Sequence, residues 1–190
     1  MKTNLIPALF AAAVLLAACG KEEPAPAAPA AAAPADMPAV ATKTLGTIDT
    51  DSYSLTLHRA ISFTPKTDAL GLLKTREGHR YVVLDIGVTN KGKEPLEMGT
   101  ILLFSKVTDK NGKSYGGNLG ALTAYTIDHP DPKHQDAYDA VLSMEFPAGA
   151  THRAVVLGLE LPQDVKELVF SAPVRADMNA EMKQIGFTLD

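Results

Sequence analysis

The sequence is short of cysteine, tryptophan and long apolar segments. Cys19 is the single cysteine among 190 residues, and there is no tryptophan. A lone cysteine excludes a disulfide within the chain, so a folded domain must depend on packing for its stability. The apolar stretch from Leu5 to Leu16 is shorter than the roughly 20 residues that a membrane-spanning helix needs, and no later stretch approaches that length. The sequence therefore predicts no transmembrane helix.

Basic residues are also too few and too scattered for nucleic-acid binding. The chain has 18 lysines and arginines against 22 aspartates and glutamates, which gives a net charge of −4 without a basic cluster. Affinity for nucleic acid depends on neutralising phosphates with those basic side chains. We therefore expect no nucleic-acid partner.

The first 18 residues have the organisation of an export signal. Lys2 supplies the basic start, the apolar centre runs from Leu5 to Leu16, and small residues follow. The run Leu16-Ala17-Ala18-Cys19 resembles the lipobox of bacterial lipoproteins. The resemblance implies that residues 1–18 are removed and that the sulfur of Cys19 takes a diacylglycerol, with acyl chains such as palmitate. Read without the resemblance, Cys19 could instead be a small buried apolar side chain.

The expected anchor determines the location of the protein. Several acyl chains on one residue give stable membrane binding, where a single chain gives marginal binding. Loss of residues 1–18 removes only Lys2 among charged residues, so 17 basic and 22 acidic residues remain and the net charge becomes −5. Gly20 rather than aspartate follows the cysteine, which in Gram-negative lipoproteins implies the outer membrane. We expect an exported protein held at the cell envelope by its lipid.

Residues 19–42 read as a linker behind the lipidated cysteine. From Gly20 to Thr42 the chain is almost entirely alanine and proline, which cannot build a core. Such a segment favours extended polyproline geometry, at about 3.1 Å per residue, and could hold a domain up to roughly 70 Å from the lipid. A spacer without a specific role explains this composition, and binding by a proline-recognising partner is the alternative.

Residues 43–190 have the size of one domain and the pattern of an all-β fold. Apolar and polar residues alternate with period two, which is typical of strands with one buried face. The apolar rows are Tyr53, Leu55, Leu57, Ile61 and Phe63; Val82, Leu84, Ile86 and Val88; 101–108; Leu142, Met144 and Phe146; Val155, Leu157, Leu159 and Leu161; Leu168 and Phe170; and Ile185, Phe187 and Leu189. About seven short strands without a long helix predict an antiparallel immunoglobulin-like β-sandwich, with a small barrel as the second choice.

Turn residues separate these rows. Asn90-Lys91-Gly92-Lys93, Asp109-Lys110-Asn111-Gly112 and Phe146-Pro147-Ala148-Gly149 contain the glycine and asparagine that tight turns favour. Two segments, 68–74 and 176–183, fit either a short helix or an irregular connection.

These motifs also carry a family resemblance. The stretch from Glu77 to Pro95, with a strand that ends in Asn90 and a Gly-Lys turn, is similar to the pattern of secreted immunoprotective immunoglobulin-like domains. The likeness continues through Leu103-Phe104, through 109–115 and through 146–149. The resemblance implies an immunoglobulin-like sandwich of the kind carried by exported bacterial lipoproteins of largely unknown function. The chain lacks the core tryptophan and the inter-sheet disulfide of true immunoglobulin domains.

Two short motifs resemble catalytic or phosphate-binding sequences. Residues 112–116, Gly-Lys-Ser-Tyr-Gly, fit the G-x-S-x-G pattern of a serine-hydrolase elbow, which requires a strand-to-helix turn. Here the motif follows a hairpin turn, and glycines come after it. The Gly-Lys-Ser inside it lacks the upstream glycine of a phosphate-binding loop. We interpret the segment as a turn, and since the sequence places no nucleophile beside a base, we expect a protein that is not an enzyme.

The segment 128–139 is the candidate metal site. It holds two imidazoles and four carboxylates, and imidazole nitrogen with carboxylate oxygen suits zinc or copper. The candidate ligands are His129, His134, Asp131 and Asp136. Their spacing fits no established ligand pattern, and a solvated proline-rich connection explains them as well.

The remaining histidines and methionines suggest no site. His58, His79 and His152 are expected to be surface side chains. The dispersed methionines, Met98, Met144, Met178 and Met182, are expected to fill the core rather than to bind copper, and Met144 falls on an apolar row.

The sequence favours a non-enzymatic binding module of the envelope, without a cofactor. Its partner would be another envelope protein, a host surface or a small ligand, contacted through the segments 64–76 and 115–138, because binding residues tend to lie on loops of a rigid scaffold. The alternative is a periplasmic or surface metal-binding lipoprotein that uses the loop of His129 and His134.

Overall fold

A computed structural model describes residues 44–66 and 73–190. Cys19, the signal peptide 1–18 and the linker 19–42 lie outside the described residues, as do positions 67–72 of the expected contact segment. The described residues form these elements in chain order: β1 Gly46–Asp49, β2 Tyr53–Phe63, β3 His79–Asn90, α1 Met98–Phe104, β4 Lys106–Asp109, β5 Ser114–Tyr115, α2 Leu119–Asp128, α3 His134–Val141, β6 Thr151–Pro162, β7 Glu167–Pro173 and β8 Met182–Thr188.

The strands form two antiparallel sheets of four. The first sheet has the order β1-β2-β3-β6, and the second has the order β5-β4-β7-β8. The prediction of an antiparallel β-sandwich without a disulfide is confirmed. The described residues contain eight strands rather than about seven, and three short helices accompany them.

The main core lies between the two sheets. Leu84 and Ile86 of β3 are fully buried in the same apolar cluster as Phe170 of β7 and Ile185 of β8. Burying one such side chain contributes about 1.5–3 kcal/mol relative to leaving it in water. The alternation predicted for Val82 to Val88 is therefore confirmed as the inner face of a strand.

A β-bulge changes the face to which β2 presents its side chains. The pairing of β2 with β3 shifts between Leu57 and Arg59, which inserts His58 as an extra residue. Tyr53 and Leu55 point into the sandwich core, as expected. Because the side-chain period is two, the inserted residue sends Ile61 and Phe63 to the outer face of the sheet, where they pack in a second cluster. The prediction that all five residues share one face was wrong for these two.

The same correction applies to β6. The pairing of β3 with β6 shifts after Leu84, so Val155 faces outward while Leu159 and Leu161 face the core. The single apolar face predicted for Val155 to Leu161 was therefore wrong at its first residue.

Two segments predicted as strands are not continuous strands. Residues 101–108 divide into the end of α1 and β4, and Met98 and Ile101 bury one face of the helix in the core. Apolar residues at positions i and i+3 suit a helix, and the run was too short to exclude it. The segment Leu142 to Phe146 forms no named strand, since only an isolated bridge joins Phe146 to Leu96.

The predicted turns are confirmed. Gly112 and Gly149 have φ values of 80° and 70°, which glycine tolerates without strain. Asn90 is buried at the end of β3, where its side chain accepts a hydrogen bond from Gly92 N at 2.8 Å and donates to Glu94 O at 2.9 Å. The segment 176–183, whose sequence fits either a short helix or an irregular connection, is irregular up to the start of β8.

Helix α2 covers part of the outer face of the first sheet. Ala121 and Ala124 of this helix pack on Tyr81, Val83 and Val155. Asn118 caps the helix by accepting a hydrogen bond from Ala121 N at 3.0 Å. In residues 44–66 and 73–190, no helix is both long enough and apolar enough to cross a membrane.

Candidate functional site

Asp85 is a buried carboxylate on the outer face of the first sheet. It lies in β3 between Leu84 and Ile86, which face the core, so the period of two turns Asp85 to the opposite face. Its side chain is only 1% exposed. A buried carboxylate is strongly destabilising unless it is paired and hydrogen-bonded.

Two arginines from the neighbouring strands pair with it. Arg153 of β6 donates from Nε to Asp85 Oδ1 at 2.8 Å and from Nη2 to Oδ2 at 2.7 Å. Arg59 of β2 donates from Nε to Oδ2 at 2.8 Å. Burial alone would raise the pKa of Asp85, but the hydrogen bonds and charges of both arginines lower it below the ordinary value, so the carboxylate is ionised at neutral pH.

The strand registers explain why these side chains meet. Arg59 is directly opposite Asp85, and Arg153 is opposite Gly87, two residues further along β3 on the same face. Cross-strand neighbours at these spacings lie within reach of long side chains.

His58, the extra residue of the bulge, completes what we call the arginine cluster: His58, Arg59, Asp85 and Arg153. Its ring lies over Gly87, since a Cβ at that glycine would be 2.6 Å from His58 Nε2. Burial lowers the pKa of His58, and the positive charges of Arg153 and Arg59 lower it further against the opposing effect of Asp85. The ring is therefore neutral at pH 7 and, within the described part of the chain, makes no hydrogen bond. We expected a surface side chain, and the structure shows a half-buried one.

The C-terminal end of α2 borders the cluster. Burial raises the pKa of Tyr125, with smaller opposing effects from Arg59 and Asp85, which places the phenol within electrostatic range of both. Tyr125 stacks on His129 with 4.5 Å between ring centroids, and Phe63 contacts it edge-on at 5.6 Å. Phe63, Tyr125 and His129 thus form a row of aromatic rings at this end of the helix.

The predicted metal ligands are distributed over two elements and a connection. His129 follows α2 and stacks on Tyr125, while His134 and Asp136 lie in the first turn of α3. Asp131 Oδ1 accepts a hydrogen bond from Lys133 N at 2.9 Å in the connection. Across the described ranges, no group of three or more His, Cys, Asp or Glu side chains could hold a metal ion. The metal hypothesis stays a prediction, and metal analysis with and without both His→Ala changes tests it.

The segment 128–139 is also more regular than expected. The sequence pattern favoured a solvated connection, but α3 begins at His134 and buries Val141 in the core. The contact of Val141 with the core explains why this short polar helix forms, since isolated helices of this length are marginal in water.

The Gly-Lys-Ser-Tyr-Gly motif lines a polar cleft. Ser114 lies in β5 after a hairpin turn and not at a strand-to-helix elbow. The cleft has a volume of about 270 Å³, and its lining residues include Arg76, His79, Lys113, Ser114, Asn118 and Glu160.

Glu160 makes hydrogen bonds to two other residues that line this cleft. Its side chain is 13% exposed and accepts hydrogen bonds from Arg76 N at 2.7 Å and from Asn118 Nδ2 at 3.4 Å. Burial alone would raise the pKa of Glu160, but the hydrogen bonds and charge of Arg76 lower it. Glu160 therefore connects β6 to the residues before β3 and to the start of α2, which is sufficient to explain its position.

The methionines and the other histidines have separate positions. Met98 is fully buried as expected, but Met144 is 56% exposed and Met178 is 71% exposed, so core filling was wrong for these two. His79 lines the polar cleft, and His152 contacts the edge of Phe146 at 5.6 Å between centroids.

Sequence reasoning did not identify the arginine cluster. The available signal was Asp85, a charged residue inside the otherwise apolar run from Val82 to Val88. Its partners are 26 and 68 positions away in sequence, so only the strand registers bring them together.

Comparisons with known proteins show the fold. No family model matches the chain, and no curated protein is similar to it. A functionally unknown protein from Listeria monocytogenes EGD-e matches with a TM-score of 0.52 and 14% identity over 78% of this chain and 83% of that one. A conserved hypothetical protein from Bacillus anthracis matches with a TM-score of 0.48 and 17% identity over 74% and 92%. A candidate lipoprotein from Staphylococcus aureus matches with a TM-score of 0.47 and 14% identity over 73% and 86%. At 14% identity the likeness to the Listeria protein shows the fold alone.

Proposed function

We propose that this protein is an acylated lipoprotein of the cell envelope whose sandwich is a non-enzymatic binding module. The contact surface in this proposal is the part of the outer face of the first sheet that α2 does not cover. We call it the open half, and it includes Thr47, Thr56, Thr89 and Thr151. The observation that carries the proposal is the arginine cluster, where two guanidinium groups are held on one buried carboxylate.

Stability alone does not explain such a cluster. Apolar residues of similar volume often replace a buried ion pair with no loss of stability, or with a gain. The neighbouring part of the same face is apolar and is covered by α2, so an apolar solution is available in this fold. Charged groups at the boundary between the covered and open halves suit recognition of a polar partner.

The rest of the open half supports this reading. It carries hydroxyl side chains in neighbouring strands, and two pairs of them are within hydrogen-bond distance: Thr89 with Thr151 at 2.9 Å and Thr47 with Thr56 at 3.2 Å. Hydroxyl groups both donate and accept, so this surface offers adaptable polar contacts beside fixed charges. Contact through the segments 64–76 and 115–138, which the sequence favours, stays a separate prediction.

The anchor rests on Cys19. Acylation of this residue, with the alanine and proline segment behind it, would keep the binding surface near a membrane. An outer-membrane location is the finer part of the proposal, and it follows from Gly20 if the host is Gram-negative.

Two measurements test the proposal in living cells. Intact-mass analysis should find a mature chain that begins at an acylated Cys19, and a chain that keeps residues 1–18 would contradict the anchor. A photoreactive amino acid at Thr151, which is exposed on the open half, should give a crosslinked product.

The matched control is Gln184, which is exposed on β8 in the second sheet. The same photoreactive group there should give little or no product. Equal products at both positions, or none at Thr151, would show that the open half is not the contact surface.

A further inference from the structure

We infer that the arginine cluster binds one monoanionic oxyanion group, a carboxylate or a phosphodiester. The inference rests on the proposed function, since it names the chemistry that the open half of the sheet would recognise. The argument uses the hydrogen-bond donors that remain unused, the charge balance and the exposure of the two guanidinium groups.

Both arginines keep donors that Asp85 does not use. Arg59 donates to Asp85 only through Nε, so its Nη1 and Nη2 have no partner among the described residues. Arg153 uses Nε and Nη2 and keeps Nη1. A guanidinium has five N–H donors in a fixed plane, and such a plane matches the two oxygens of a carboxylate or phosphate group.

The two guanidinium groups reach solvent although the carboxylate between them does not. The side chains of Arg59 and Arg153 are 28% and 33% exposed, against 1% for Asp85. Asp85 therefore holds the two arginines in place from beneath the surface, while the ends of their guanidinium groups stay accessible to solvent. Held in this way, they lose less conformational entropy on binding than free surface arginines would.

The charge of the cluster selects a monoanion. Two guanidinium groups, one carboxylate and a neutral imidazole leave an excess of one positive charge, and the phenol of Tyr125 on α2 adds none at neutral pH. One carboxylate or one phosphodiester balances this charge, whereas a phosphate dianion would exceed it. His58 adds one N–H donor beside the two arginines.

The test is an NMR titration of the full-length chain in detergent micelles. The observed signals are the Nε–H groups of the arginines, and the probes are N-acetylglycine, dimethyl phosphate and the uncharged N-acetylglycine methylamide. Signals of Arg59 and Arg153 should shift with at least one anion at millimolar concentration and should not shift with the amide. Tighter binding of N-acetylglycine would identify a carboxylate as the ligand group, and tighter binding of dimethyl phosphate would identify a phosphodiester.

The informative variant is Arg59→Gln, because it leaves the bidentate pair of Asp85 and Arg153 in place. It should weaken anion binding by about tenfold, the effect of losing a charge-assisted hydrogen bond. Arg59→Lys keeps the positive charge without the planar donors, so its affinity for the anion should lie between those of the wild type and Arg59→Gln. Arg175→Gln is the control, since Arg175 also pairs with an aspartate, Asp177, but in the connection after β7; it should bind as the wild type does.

Three results would overturn the inference: no shift with either anion, equal shifts with the amide, or wild-type affinity in Arg59→Gln. None of them bears on the lipid anchor. A crosslinked partner at Thr151 together with no anion binding would reject the oxyanion site and retain the contact surface.

Discussion

Asp85 accepts three hydrogen bonds, and the two arginines that donate them are not equivalent. Arg153 contributes two donors and Arg59 contributes one. Hydrogen bonds to charged groups contribute about 1.5–3 kcal/mol each, with non-additivity within a shared network. Arg153→Gln should therefore lower the free energy of unfolding by about 2–4 kcal/mol, and Arg59→Gln by about 1–2 kcal/mol.

Urea unfolding at pH 7 measures both losses. Arg175→Gln, which removes an exposed ion pair, should change the free energy of unfolding by less than about 1 kcal/mol. Equal losses for Arg153→Gln and Arg59→Gln would show that the bidentate geometry does not control the stability of Asp85.

His58 makes the stability of the domain sensitive to pH. Its pKa in the folded protein is lowered below 6.5, because burial and the two arginines disfavour the charged ring. The unfolded chain then binds the proton more readily, so the free energy of unfolding falls as pH falls through 6.5 and levels off below the folded pKa. The lowered pKa of Asp85 adds a further loss only from about pH 3.8 downward.

We expect His58→Gln to reduce this dependence. Urea midpoints at pH 7.5 and pH 5.5 should differ less in the variant than in the wild type, and an NMR titration of the His58 ring should give the lowered pKa directly. A ring that titrates at or above 6.5 would contradict the burial of His58 over Gly87.

At the scale of the elements, the docking of α2 depends on one glycine of β6. A Cβ at Gly158 would lie 2.5 Å from Asn118 O and 2.9 Å from the Cβ of Ala121. The Asn118 N–H also donates to Gly158 O at 2.7 Å, so the start of the helix sits directly on the strand. Backbone atoms cannot move aside as a flexible side chain can, and the helix itself would have to shift.

Gly158→Ala should lower the free energy of unfolding by about 1–3 kcal/mol, as overpacking of a closely fitted site does. It should also raise amide hydrogen exchange in α2 more than in the strands. The matched control is Gly186→Ala in β8, where a Cβ would meet nothing within 4 Å. A similar loss in both variants would mean that the cost comes from the strand backbone and not from the helix.

The elements also show what the sequence could and could not predict. Positions where local chemistry decides the conformation were predicted: the turn at Gly112 requires a positive φ, and Asn90 ends β3 by hydrogen bonds to its own neighbours. The bulge at His58 was not predicted, because in the sequence the apolar residues still alternate with period two across the inserted residue. The strand predicted for 101–108 was wrong at 101–104, the end of α1, because a short apolar run fits both periods.

At the scale of the molecule, the sequence predicted two packed sheets but not the site on them. Inner faces of both sheets are apolar, and that pattern is visible residue by residue. The arginine cluster depends on pairing between three strands, and a single sequence carries no record of which strands are neighbours. The fold could therefore be predicted from the sequence, whereas the candidate site, which depends on contacts between distant segments, could not.

A buried hydrogen bond joins the two sheets from β2 to the end of β7. Tyr53 of β2 is fully buried, and its hydroxyl donates to the carbonyl oxygen of Pro173, at the end of β7, at 2.5 Å. Tyr53→Phe leaves that buried carbonyl without a donor and should lower the free energy of unfolding at pH 7 by about 1–3 kcal/mol. Tyr81→Phe, whose hydroxyl makes a longer bond of 3.3 Å in a partly buried place, is the control and should lose less.

A pH series separates the hydrogen bond from simple loss of packing. Burial raises the pKa of Tyr53 to about 12, above the 10.0 of an exposed phenol. Between these values the unfolded chain releases the proton and the folded chain keeps it, so the stabilisation by Tyr53 is complete below pH 10 and is lost as pH rises towards 12. The difference between wild type and Tyr53→Phe should therefore shrink above pH 10. A difference that stays constant with pH would mean that the hydroxyl does not remain protonated between the sheets.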